Sequence, residues 1–185
     1  MRKKYFWYVY LFFDFISAGL SWIIFNYFRK TYIEKFEFEI SKKLIISTFL
    51  ISLLWIILYA IFGNYKNVYK KYRLKEITQI TSQTFIGIIL IFFILLLDDN
   101  INTYQDYYTL FVVLFLLHII ITFLPRIILT SRTVNQIHNK KIGFKTIIIG
   151  NSEKAKDTYL EICNLKKSSG HFILGYIYTN GGKDV

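Results

Sequence analysis

The sequence predicts an α-helical membrane protein that ends in a small, incomplete α/β segment. Three observations carry that prediction. Four windows are apolar for long enough to cross a bilayer, their flanks carry aromatic and basic residues, and a strand-turn-helix-strand pattern begins only after the fourth window.

A bilayer core requires about 20 apolar residues per helix. Residues 5–28, 44–62, 80–97 and 107–129 meet that length. The second and third windows contain no charged residue, the fourth has only Arg126 near its end, and the first holds Asp14. A soluble domain of 185 residues could bury a sizeable core, but it would not carry uncharged runs this long. The 54% hydrophobic content therefore reads as membrane composition. Met1, Arg2, Lys3 and Lys4 ahead of the first window suggest a signal sequence. That window exceeds an ordinary h-region, and its small residues Ser17, Ala18 and Gly19 lie inside it, so an uncleaved signal anchor is the better reading.

The formal charge of +11 raises the question of nucleic acid, but the bases crowd the ends of the spans, where anionic headgroups lie. Nucleic acid is not an expected partner. Arg2, Lys3 and Lys4 precede span one, and Lys66, Lys70, Lys71, Arg73 and Lys75 follow span two. Arg126, Arg132, Lys140, Lys141 and Lys145 follow span four, whereas the loop after span three carries only Asp98, Asp99 and Asp106. The positive-inside rule then places both termini in the cytoplasm, with the mixed first loop as the one strained element. Tyr5, Trp7, Tyr8 and Tyr10 mark the inner interface and Tyr104, Tyr107 and Tyr108 the outer one. Tyr65, Tyr69 and Tyr72, interleaved with lysines, suggest a short surface helix or a solvated loop.

Span three opens on Thr81, Ser82, Gln83 and Thr84 and contains Gly87, so its first turn must face other helices or the interface. Ser17 and Ser21, four apart in span one, offer a close-packing face. Pro125 removes one helix hydrogen bond in span four, and 126–138 reads as a helical continuation out of the membrane.

Three regions follow: a four-helix transmembrane domain at 1–130, a basic linker at 131–144, and an α/β segment at 145–185. Residues 145–149 are short, β-branched and apolar, as a buried parallel strand should be. Gly150, Asn151 and Ser152 make the turn, with Ser152 as N-cap and Glu153 at the positive helix end. A helix then runs to about Lys167 with Ala155, Tyr159, Ile162 and Leu165 inward, and 171–178 forms a second strand. This is one Rossmann-like βαβ unit, which cannot cover both faces of its sheet alone, so further strands from beyond Val185 or from a partner are expected. Gly150, Asn151 and Ser152 are the candidate phosphate- or nucleotide-binding turn. A dinucleotide fingerprint wants G-x-G-x-x-G, and this turn lacks two of the three glycines, so a plain βα turn is the simpler reading.

The segment TIIIGNSEKAKDTYLEI…GHFILGYI, the connector FGNYKNVYKKYRLKEI after span two, and Asp14 within span one resemble the N-terminal half of bacterial polyprenyl glycosylphosphotransferases. These are the initiating sugar transferases of exopolysaccharide and O-antigen synthesis. The resemblance implies a membrane-anchoring or regulatory part of an enzyme that moves a sugar 1-phosphate from a nucleotide sugar to undecaprenyl phosphate at the bacterial inner membrane. The Asp–Glu pair and Mg²⁺ of that chemistry belong to a C-terminal catalytic domain whose motif this sequence lacks, so no catalytic residue, metal or cofactor is expected in this chain. The implied partners are the lipid bilayer, polyprenyl phosphate, and a second copy or other polysaccharide-assembly proteins. Two alternatives stand beside it: the N-terminal part of a membrane-bound NAD-dependent nucleotide-sugar epimerase or dehydratase, and a non-catalytic truncated membrane module.

Asp14 pairs with a base or lipid head, or is solvated near the cytoplasmic end or paired between helices; a central carboxylate costs about 2.5–3.5 kcal/mol. His118 fits one interhelical hydrogen bond better than a proton relay. His138, His171 and the single Cys163 show no metal-ligand spacing.

Overall fold

The computed structural model describes residues 6–66, 73–96, 104–150 and 152–178. The order is α1 (Phe6–Phe28), a π-helical turn (Arg29–Ile33), α2 (Lys42–Ile61), α3 (Arg73–Leu96), α4 (Tyr104–His138), β1 (Phe144–Gly150), α5 (Ser152–Asn164) and β2 (His171–Tyr178). Four helices are long and apolar enough to cross a membrane, and a two-stranded parallel sheet follows them. The chain divides into two units, Met1–Thr130 and Ser131–Val185. The expected positions of Met1, Arg2, Lys3, Lys4, Tyr5, Lys70, Lys71, Asp98, Asp99, Asn151, Tyr69 and Tyr72 lie outside the described residues.

In the first unit, small residues let α1 and α2 approach closely. Ser17, Ala18 and Ser21 are buried, and a Cβ added at Gly19 would sit 3.2 Å from Ser52 Oγ. The hydroxyls are satisfied inside their own helices: Ser21 donates to the Ser17 carbonyl at 2.7 Å and Ser52 to the Thr48 carbonyl at 2.8 Å. Ser41 caps α2 by accepting from the Leu44 N–H. Gly63, at φ 72°, closes α2 in a Schellman motif, with Gly63 N–H donating to Ala60 and Asn64 N–H to Tyr59. That turn aims Asn64 at Gln83 of α3, and the two amides exchange hydrogen bonds of 2.5 and 2.9 Å. Gly87 is required by packing, because an added Cβ would stand 2.4 Å from Trp55.

α3 begins at Arg73, earlier than the predicted start at residue 80, so Arg73 and Lys75 are helical rather than loop residues. The apolar window stops short of these two turns because they carry Arg73, Lys75 and Glu76. α4 runs unbroken through Pro125 to His138.

The second unit begins on the last turns of α4. Lys140 takes the left-handed conformation, φ 57°, and ends α4 with bonds from Lys140 N–H to Ile137 and Lys141 N–H to Gln136. β1 and β2 pair in parallel, with a register irregularity after Thr146. α5 stops at Asn164, short of Lys167, and of its four expected inner residues Ala155 is buried, whereas Tyr159 and Leu165 are exposed. The chain past Asn164 is drawn instead into a loop whose Ser168 N–H donates to the His138 carbonyl at 3.3 Å. Ile147, Ile149 and Ile177 remain more than half exposed, so one face of this sheet is uncovered within the described residues.

Candidate functional site

The inner face of α4 is marked every fourth residue. Leu110 and Leu114 are apolar, and then His118, Thr122, Arg126 and Thr130 continue the same row, all at 2% exposure or less. These residues form one inclined i, i+4 row, buried along its whole length, so the bundle interior turns from apolar to polar along α4.

Arg126 is the centre of the polar half. Its Nε donates to Asp14 Oδ1 at 2.7 Å and its Nη2 to Asp14 Oδ2 at 2.7 Å, a bidentate pair between α4 and α1. Its Nη1 reaches Glu76 Oε1 of α3 at 3.3 Å. The Tyr65 hydroxyl donates to Asp14 Oδ2 at 3.0 Å. Burial and the Asp14 carboxylate push the Tyr65 phenol above its ordinary range, so it remains a neutral donor at physiological pH. The guanidinium carbon also lies 4.3 Å from the centre of the Tyr59 ring.

Tyr59 extends the network. Its hydroxyl bonds His118 Nε2 at 2.9 Å, and the His118 ring stacks on Trp55 with 3.7 Å between centroids. Tyr10 of α1 bonds Thr130 at 3.0 Å. One polar network therefore ties α1, α2, α3 and α4 together. Isolated charges would be expensive in such an interior, whereas a bidentate pair with further hydrogen bonds offsets most of that cost.

The arrangement is closed. All three guanidinium nitrogens are engaged with carboxylates, and Arg126 is 1% exposed. Two carboxylates around one cation leave no place for a phosphate, so the geometry is that of an interhelical lock rather than a substrate pocket.

This places several residues differently from their sequence reading. Asp14 pairs with a base, Arg126, on another helix, which meets both of its expected settings. Arg126, expected among the interfacial bases, is instead buried. Tyr65, assigned to a surface helix or solvated loop, turns inward onto Asp14 because the Schellman turn redirects the chain after α2. His118 makes the expected interhelical bond. Glu76 and Tyr59 were missed. The every-fourth-residue row on α4 was a visible signal for a polar stripe, but nothing local marks Glu76 as its partner.

In the α/β unit, Gly150 ends β1 and Ser152 opens α5. A Cβ added at Gly150 meets nothing within 4 Å, so the turn shows no close approach that only glycine permits. A cavity of about 200 Å³ lies at the other end of the strands, where Lys140, Ser168 and His171 contribute to its lining. Among the described residues, no group of three or more His, Cys, Asp or Glu side chains is placed to hold a metal ion. Comparison with protein-family models, curated proteins and solved structures returned no match.

Proposed function

We propose that this chain is the membrane-anchoring and regulatory part of a sugar transferase that moves a sugar 1-phosphate from a nucleotide sugar to undecaprenyl phosphate in surface-polysaccharide biosynthesis. In this reading it sits in the bacterial cytoplasmic membrane with both termini inside, and its α/β segment is a Rossmann-like unit. The observation that carries the anchor is the inversion of the four-helix unit. Asp14, Glu76, His118 and Arg126 are buried, while Phe12, Leu20, Ile46, Phe49, Leu116 and Ile120 stand outward. A water-soluble bundle would have the opposite arrangement, whereas hydrocarbon favours this one.

The transferase assignment draws on the order of parts, four span-length helices followed by a parallel βαβ unit. Ser152 and Ala155 stand where a dinucleotide turn carries its second and third glycines, which argues against the NAD-dependent epimerase. In this reading the chain positions chemistry that is performed elsewhere. The test is to remove the gene from its native host and measure transfer of labelled sugar 1-phosphate from nucleotide sugars into the undecaprenyl-phosphate lipid fraction of membranes. Reduced transfer, restored when the chain is resupplied, is expected. Unchanged transfer with every nucleotide sugar tried would contradict the proposal.

A further inference from the structure

We infer that the α/β unit docks onto the bilayer surface through a lysine-rich edge that binds anionic phospholipid headgroups. Lys140 and Lys141 lie on the turn after α4, Lys145 at the start of β1, and Lys166 and Lys167 in the loop before β2; all five are exposed. The two turns are held side by side. Phe144 N–H donates to the Gly170 carbonyl at 2.7 Å, Ser168 N–H donates to the His138 carbonyl, and Gly170 packs against Ile137 with no room for a Cβ. The five lysines thus sit on adjacent segments at one end of the sheet.

The charge pattern selects the partner. No Asp or Glu occurs in 138–150 or in 162–178, while Glu153, Asp157 and Glu161 lie along α5 with Lys154 and Lys156 among them. The basic edge is therefore unbalanced where α5 is nearly neutral. Lys140, Ser168 and His171 also supply donors to a cavity of about 200 Å³ whose other walls are Tyr159, Ile162 and Cys163 of α5 and Phe172 and Ile173 of β2. Leu165, 44% exposed beside Lys166, supplies an apolar side chain of the kind that enters the headgroup layer. Only residues 131–139 separate the first of these lysines from the four-helix unit, so the edge is tethered near an anionic surface, where each lysine favours contact.

The inference rests on the membrane-anchor part of the proposed function, and the experiment separates the two. The full chain is placed in nanodiscs of phosphatidylcholine alone or with 30% phosphatidylglycerol, and amide hydrogen exchange is followed in 139–143 and 165–170. Failure to incorporate into either disc would overturn both readings. With incorporation, exchange in both segments should be at least five-fold slower in the phosphatidylglycerol discs, and 0.5 M salt should erase the difference. Replacing the five lysines by glutamine should remove the protection, with about a five-fold loss of docked population per lysine. Lys154→Gln with Lys156→Gln should leave it intact. If the five-lysine variant misfolds, shown by faster exchange in phosphatidylcholine, the salt response of the unaltered chain still decides. Equal exchange in the two discs would overturn the inference, as would the same protection produced by 10 mM inorganic phosphate in phosphatidylcholine.

Discussion

Replacing Arg126 by leucine would strip Asp14 and Glu76 of their common cation. The Arg126–Asp14 contacts are two bonds of 2.7 Å in a site 1% exposed. With charge centres about 4 Å apart and an effective dielectric near 20, the attraction is about 4 kcal/mol. Removing one partner of such a pair costs about 3–5 kcal/mol, because the other charge stays buried. Arg126→Leu should therefore lose about that much. Asp14→Leu should lose less, since Arg126 keeps its 3.3 Å contact to Glu76. The double variant should lose less than the sum, with a coupling energy of about 2–4 kcal/mol. Unfolding of the purified chain by SDS in mixed micelles, followed by circular dichroism, measures all four corners of the cycle. A coupling below about 0.5 kcal/mol, the value of an exposed pair, would refute the lock and mean that Arg126 reaches water.

Other parts of the network give smaller effects. Gly87→Ala should cost about 1–3 kcal/mol in the same titration through its clash with Trp55, and a smaller residue at position 55 should recover part of the loss. Tyr59→Phe should cost about 1 kcal/mol by removing the bond to His118 while keeping the ring under Arg126; Tyr59→Leu should cost about 0.5–2 kcal/mol more. Lys140→Gly should stabilise the α/β unit by about 0.5–1 kcal/mol, because it relieves a left-handed lysine at the end of α4, and native-state hydrogen exchange of β1 amides would read that gain.

Span length and strand period were legible because both are local. Long apolar runs announced the four long helices, and short apolar segments announced β1 and β2, the latter with the expected ends at His171 and Tyr178. The lock was not legible, because its members meet only through the fold. Asp14 and Arg126 are 112 positions apart, and Arg126 and Glu76 are 50 apart. Read alone, Arg126 is an interfacial base, and nothing near Glu76 marks it as a partner. The first turns of α3 hid because Arg73, Lys75 and Glu76 lie outside the apolar window, and Glu76 finds its partner Arg126 only in the fold. Tyr65 shows a third limit, since one glycine turn decides whether an aromatic residue faces headgroups or a buried carboxylate.

The central claim is that four membrane-crossing helices deliver the α/β unit to the cytoplasmic face, and Cys163 tests it directly. It is the single cysteine, it is exposed, and it lies near the end of α5. A membrane-impermeant maleimide applied to intact cells and to inverted vesicles reads its side. The account predicts no labelling in intact cells and labelling in inverted vesicles; labelling of Cys163 in intact cells would contradict it.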